Sequence, residues 1–339
     1  MKNFYWFVFL GIFALFGGVV LRFADEFSLV KQMEIKASLQ ANLISILKER
    51  KEEPVKIIFT GDIMLSRLVE NRIYVKNDFK FPFLKVANFL RGADLTVGNL
   101  ESPISLKGEN MGSKYSFRAE PKTIEGLKFA GFDILSLANN HIWDYGEEAM
   151  SDTIYLLNMN GINTVGAGRD EREANRTVVK EIRGEKIAFL SFTNLYPESL
   201  EAKGERGGIS DFDLNKIKED IKKMKDSGEA EVVIVSLHFG EEYKKDPSDS
   251  KKEIARAVVE AGADLVVGHH PHVAQNLEKN NGVWIAYSLG NFVFDQDFSE
   301  ETMKGKMFEA IIKNGQVISV RDIPIKINED FQPELVDID

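Results

Sequence analysis

The chain has no cysteine, only five histidines and no excess of positive charge. Without cysteine there are no disulfides, no thiolate metal sites and no cysteine nucleophile. The compartment stays open, because a cysteine-free chain tolerates either redox environment. A formal charge of −10 and a pI near 5.2 exclude a general nucleic-acid binder, which needs clustered Lys and Arg against the phosphate backbone. An anionic substrate would need local cations, a metal ion among the candidates. What the chain does have is 339 residues, 44% hydrophobic and 28% charged, enough for one large core and free of the bias of disordered or repeat sequences.

Phe4–Leu21 is the longest apolar run and carries no charge between Lys2 and Arg22. About 18 apolar residues lie near the lower limit for crossing a hydrocarbon core of roughly 30 Å. Phe16–Asp25 offers no small-x-small cleavage site, so the run reads as an uncleaved membrane anchor over residues 1–22, not as a secretory signal. Lys2 and the terminal amine favour a cytoplasmic N-terminus, which puts the rest of the chain outside the cytoplasmic membrane as a single-pass protein. Residues 23–53 mix charges with apolar residues at helical spacing (Leu29, Met33, Leu39, Leu43, Ile46) and predict a helical stalk ahead of Pro54.

From residue 54 to 339 the pattern is that of one α/β domain. Apolar or β-branched runs at 55–59, 94–97, 132–137, 162–165, 178–182, 186–192, 231–237, 264–267 and 283–288 predict strands. Amphipathic segments at 83–90, 121–130, 147–159, 214–224 and 251–261 predict helices between them. Such βαβ alternation implies largely parallel sheets, whose ligands collect beyond the carboxyl ends of the strands. Asn314-Gly315 between two further apolar runs predicts a hairpin.

The residues just past those strand ends form a consistent set. Asp62 follows the first run; Asn99 and Glu101 follow the second; Asn139, Asn140, His141 and Asp144 follow the third. His238 and Glu242, then His269, His270 and His272, follow two later runs. All five imidazoles would meet if these strands lay side by side in one sheet. Carboxylates, carboxamides and imidazoles without thiolate suit Mn²⁺, Fe or Zn²⁺. A single strand-end Asp is usually a helix cap; five strand ends all carrying ligand-type side chains are not explained that way.

The strings TGDIMLSR, VGNLESPI, FDILSLANNHIWDYG, VSLHFGEEY, DLVVGHHPHVAQ and IAYSLGNFVFDQ resemble the CapA/PgsA family of poly-γ-glutamate capsule proteins, a branch of the calcineurin-like metallophosphoesterases. The resemblance implies a four-layer sandwich of two mixed β-sheets flanked by helices, with one or two divalent metal ions at the strand ends. It implies metal ligation by Asp62, Asn140, His238, His270 and His272, with His141 polarising the substrate or donating a proton. Two departures stand out. The superfamily's first motif is Asp-x-His, and here the His position is Met64; its bridging aspartate falls at Asn99, with Glu101 two residues on. Either Glu101 restores the bridge or the protein binds one metal.

Other positions carry two readings each. His269 touches metal or substrate, or packs behind them. Asp144 orients His141 or caps the next helix. Glu242 is a supporting carboxylate or general base, or a solvated loop charge. Arg118 clamps a substrate carboxylate or phosphate, or makes a surface ion pair. Asn291, in a glycine turn, reaches the site. The resemblance implies poly-γ-glutamate and polymer-synthase subunits as partners; the site chemistry alone implies phosphoester hydrolysis, and a non-catalytic scaffold is the remaining class. Membrane fractionation checks the anchor: the full-length chain is expected to sediment with membranes and to resist alkaline extraction. Recovery in the soluble fraction would return the N-terminus to an internal helix or a cleaved signal.

Overall fold

The computed structural model describes residues 53–336, together with Lys31, Lys36 and residues 38–40. The predicted span Phe4–Leu21 and most of the predicted stalk lie outside the described residues; Lys31, Lys36 and residues 38–40 are helical. Among the described residues no helix is long and apolar enough to cross a membrane. The chain divides into two units, Met1–Glu53 and Pro54–Asp339, and the second holds every strand among the described residues.

The first half of that unit contains β1 (Val55–Ile63), α1 (Arg67–Lys76), β2 (Leu95–Leu100), α2 (Ile124–Ala130), β3 (Ile134–Ser136), α3 (Gly146–Met159), β4 (Asn163–Val165) and β5 (Ala167–Gly168). Then come β6 (Val178–Ile182), β7 (Glu185–Thr193), β8 (Gly208–Ile209), α4 (Leu214–Ser227), β9 (Val232–His238), α5 (Asp249–Glu260) and β10 (Leu265–His269). The chain closes with β11 (Leu277–Asn280), β12 (Val283–Ala286), β13 (Asn291–Val293), β14 (Lys304–Lys313), β15 (Gln316–Ile327) and β16 (Pro333–Leu335).

Two sheets carry the architecture. In the first, the order is β16-β15-β14-β1-β2-β3-β4, with β13 also paired to β1; in the second it is β11-β12-β10-β9-β7-β6. Strands β1 to β4 run parallel, as do β7, β9, β10 and β12, while β14, β11 and β6 join antiparallel. Both sheets are therefore mixed. The hairpin between β14 and β15 closes on Asn314 and Gly315, both in the left-handed region (φ 53° and 68°), as a two-residue turn of the favoured hand requires.

Strand periodicity sorts the apolar runs into layers. Ile57, Phe59 and Val97 from the first sheet meet Ile187, Phe189, Ile234 and Val267 from the second, forming a middle core between the sheets. Their neighbours point the other way. Ile58 and Leu135 pack with Val69 and Ile73 of α1, Leu127 of α2 and Ile154 of α3. Leu190, Val233 and Val266 pack with Ile217 of α4 and Val258 of α5. The order is helices, sheet, sheet, helices, and each fully buried Ile, Leu or Phe contributes roughly 1.5–3 kcal/mol. Runs that read as continuous hydrophobic stretches do so because both sheet faces are covered.

The imidazoles do not share one sheet, as side-by-side strands would require. His238 and His269 sit opposite each other on β9 and β10 of the second sheet, whereas His141 follows β3 of the first, where Asp62, Asn99 and Asn291 form a row across β1, β2 and β13. Glycine makes that row possible: a Cβ at Gly61 would lie 2.1 Å from the Gly290 carbonyl oxygen, so only glycine lets the β13 loop approach β1.

One buried charge sits in this frame without an ion-pair partner among the described residues. Lys251 of α5 is 2% exposed, donates from Nζ to Gln275 Oε1 at 3.0 Å and lies over the Phe239 ring at 4.5 Å. Burial pulls its pKa down to about 7. The unfolded chain therefore binds the extra proton between about pH 7 and the ordinary lysine value near 10.4, so this residue's destabilisation is full below pH 7 and fades as pH rises through that window. Replacing it removes the effect: Lys251→Met is expected to gain roughly 1–4 kcal/mol in denaturant unfolding at pH 7 and less at pH 10. An equal gain at both pH values would contradict the assignment.

Candidate metal centre

Five strand ends deliver the polar side chains to one place between the sheets' carboxyl edges. Asp62 and Glu101 are fully buried, and neither has a Lys or Arg partner among the described residues. Asp62 Oδ1 receives Asn99 Nδ2 at 2.8 Å and His269 Nδ1 at 3.1 Å, and its Oδ2 receives the His270 backbone N–H at 3.3 Å. Burial works against the Asp62 carboxylate, but the His269 hydrogen bond, with His272 and Asn99, outweighs it and holds the pKa below the usual value. Glu101 goes the other way: burial, then repulsion from Asp62, Glu242 and Asp144, pushes its pKa well up.

Two sets of donor atoms share Glu101, and within each the atoms lie within 4.8 Å of one another. One is Glu101, His238 and His270; the other is Asp62, Glu101 and His272; Glu242 joins His270 and His272 in a third, more exposed set. Burial lowers the His238 and His272 pKa values and brings His270 down to about 3, so these imidazoles are neutral at physiological pH and present lone pairs. Two buried atoms of this group have no hydrogen-bond partner among the described residues, Glu101 Oε1 and His270 Nδ1. Both belong to the shared sets. A donor group of N and O atoms, with its orphaned atoms where the sets overlap, fits a divalent cation.

The remaining predicted residues brace this group. Asn140 Oδ1 lies 2.7 Å from His238 Nε2, within reach of the His238 set. Asn99 Nδ2 also faces Glu101 Oε2 at 3.4 Å and His238 Nδ1 at 3.2 Å, so the amide at the bridging position donates to the carboxylates around it. Asn139 Nδ2 donates to Asn99 Oδ1 at 3.1 Å, and Asn139 Oδ1 accepts from the backbone of His141 and Ile142. Asn291 Oδ1 holds His272 Nδ1 at 3.0 Å, leaving Nε2 to face Glu101 Oε1 at 3.5 Å. Asp144 resolves between its two readings. Its Oδ2 lies 2.7 Å from His141 Nδ1 and accepts the Phe117 N–H at 2.8 Å, while α3 has no side-chain cap. His141 Nε2 is thus turned inward, 3.9 Å from Glu101 Oε1.

Two positions singled out in the sequence, Met64 as a departure and Arg118 as a candidate clamp, fall outside the group. Met64 is fully buried in the apolar core beside α1, where Sδ accepts from the Ser66 N–H and hydroxyl. Arg118 does not reach the site: its guanidinium lies 4.0 Å from the Tyr145 ring centroid and donates to the carbonyls of Lys107 and Gly108. A planar cation over an aromatic face is a stable surface arrangement in its own right.

The group opens on a cleft of ≈ 170 Å³ lined by Arg67, Tyr115, Phe117, His141, Glu242, Tyr243, His272, Asp295, Gln296 and Phe298. Arg67, Tyr243, His270 and His272 are four of the nine non-glycine residues at positive φ among the described residues. Such backbone is costly and persists where the surroundings over-determine it, commonly at functional sites. Arg67 and Asp295 were not legible as site residues; the available signal was their position inside the TGDIMLSR and LGNFVFDQ strings.

Known proteins resemble the chain in sequence and in fold. The chain is 34% identical over 292 residues to the capsule biosynthesis protein CapA of Bacillus anthracis, covering 84% of this chain and 71% of that one. It is 33% identical over 272 residues to the PGA biosynthesis protein CapA of Bacillus subtilis, covering 79% and 71%. Its fold is similar to that of a 5′-nucleotidase precursor from Thermus thermophilus, with a TM-score of 0.50 at 11% identity; the match takes in 83% of this chain but only 56% of the nucleotidase. Residues 56–296 match the bacterial capsule synthesis protein PGA_cap family, and with that match and these relatives the chain belongs to that family.

Proposed function

We propose that the protein is a divalent-metal-dependent hydrolase or transferase that acts on poly-γ-glutamate during capsule synthesis, export or anchoring, tethered outside the cytoplasmic membrane by residues 1–22. The observation that carries the reading is the buried Glu101 shared by two donor sets, with an oxygen that no group satisfies among the described residues. The names of the CapA relatives support the capsule role, and the charge-free run Phe4–Leu21 supports the tether.

Glu101, His238 and His270, with Asn140, would hold one ion; Asp62, Glu101 and His272 would hold the other. Mn²⁺, Fe or Zn²⁺ bound there supplies Lewis acidity toward the substrate's oxygen. The chain's own groups do the rest. Asp144 accepts from Nδ1 of His141 and fixes its ring, so the proton His141 exchanges with substrate is on Nε2. Phe117 stacks on the imidazole, centroids 4.1 Å apart, and keeps water from its face. Asn291 and Asn99 keep His272 and Asp62 in register without adding charge.

A second reading has two positions in its favour: Met64 and Asn99, where the superfamily's ligands give way. On that reading the protein is a non-catalytic subunit that organises a polymer synthase or holds its product.

Reconstitution with Mn²⁺, Fe²⁺ or Zn²⁺ and then elemental analysis tests the site. Glu101→Gln is expected to lower affinity for both ions by at least about 10–100-fold, whereas His272→Ala lowers it at one; wild-type metal content in Glu101→Gln would contradict the shared ligand. Hydrolysis of a γ-glutamyl polymer and of a generic phosphodiester then separates the substrate classes. His141→Ala should keep its metal and lose about 10²–10⁴-fold in turnover. Unchanged polymer output from a folded, metal-loaded His141→Ala protein leaves the subunit reading standing.

A further inference from the structure

Arg67 is the single Lys or Arg among the residues lining the cleft, and its placement is expensive. Its backbone is left-handed (φ 55°) at the first position of α1, a conformation that long side chains rarely adopt. Nε donates to Asp295 Oδ2 at 3.0 Å and Nη2 to Asp295 Oδ1, while the Leu68 N–H donates to the same Oδ2 at 3.0 Å. The Asp295 side chain is wholly buried, but the Arg67 side chain is 38% exposed. The carboxylate therefore acts as a fixed mount and presents the guanidinium at the cleft wall. Below it lies the Phe117 ring, 5.0 Å from Arg67 Cζ, and that same ring stacks on His141. Nη1 makes no hydrogen bond among the described residues. A guanidinium held on one edge by a bidentate pair, on its face by an aromatic ring and left open at the remaining nitrogen can receive a planar anion in one orientation.

The other walls match what would carry such an anion. Tyr115, Tyr243 and Phe298 line the same space, with Tyr243 and Phe298 edge to face at 5.1 Å. A γ-linked glutamyl unit consists of an amide, two methylenes and a free α-carboxylate. The amide would sit beside His141, the methylenes against the aromatic rings and the carboxylate on Arg67. Resting on the polyglutamate reading above, we infer that Arg67, mounted on Asp295, is the specificity-determining residue that binds the α-carboxylate next to the reacting γ-amide. The carboxylate clamp, one of the two readings of Arg118, thus falls to a different arginine.

The test compares two ligands that differ only at the α-position. Full-length wild type, Arg67→Gln and the double variant R67Q/D295N are titrated by calorimetry with a γ-glutamyl oligomer carrying free α-carboxylates and with the same oligomer fully amidated there. The double variant removes the buried unpaired carboxylate that Arg67→Gln alone would leave, and circular dichroism reports folding. Wild type should prefer the acid oligomer by about tenfold or more, as a charge-assisted hydrogen bond allows. Both variants should bind the two oligomers about equally. A merely structural Arg67–Asp295 pair would not set that ratio, so folded variants that still prefer the acid form as strongly as wild type overturn the inference and leave the polyglutamate reading in place. Wild type that binds neither oligomer overturns both.

Discussion

Two carboxylates, Asp62 and Glu101, are buried side by side with no Lys or Arg against them among the described residues, and the rest of the site is arranged around that fact. Taking an ion out of water costs several kcal/mol even after relaxation, and a second like charge nearby adds to it. Asn99 and the His270 backbone N–H donate to the pair, and burial holds the His238, His270 and His272 imidazoles neutral. Those contacts satisfy Asp62 but leave Glu101 Oε1 unmet. The middle core between the sheets offsets the strain, since the same strands that carry the polar ends bury Ile57, Phe59, Ile234 and Val267 behind them. Stability and site chemistry are thus separated along each strand, apolar in the body and polar at the carboxyl end.

Strand ends were readable because apolar runs stop abruptly at Asp62, Asn99, His238 and His269, and a switch from period-two packing to polar side chains is a local signal. Sheet membership was not. The sequence resemblance implied two sheets, but nothing local says that β9 and β10 face β1 and β2 across a core, since pairing partners lie up to hundreds of residues apart. Asn291 was placed by a glycine turn whose purpose, close approach to Gly61, only the packed strands reveal. The two arginines are the clearest case. Arg118 and Arg67 have the same chemistry, and what separates them is a left-handed residue and a partner 228 positions away, neither visible in composition or spacing. Asp144 likewise had two uses until the Phe117 N–H and the imidazole both turned up on its Oδ2.

Met64 and Asn99, the two departures singled out in the sequence, are accommodated in different ways. Met64 is absorbed into the hydrophobic layer, with its sulfur occupied by Ser66. Asn99 keeps the shape of an aspartate while donating, so one negative charge is removed from the centre and Glu101, two residues on, holds the place between the donor sets. Glu101 is the first residue past β2, and its carboxylate reaches one methylene further from the backbone than an aspartate's would. His272, fixed by Asn291, then completes the set on the Asp62 side.

If Glu101 holds metal from both sides, an anomalous-difference map from crystals of the Mn²⁺-loaded protein will show it. Density is expected within bonding distance of both Glu101 oxygens, one peak toward His238 and His270 and the other toward Asp62 and His272. Peaks that avoid Glu101, or a Glu101 carboxyl engaged only by protein groups in the loaded crystal, would contradict the shared ligand and the site built around it.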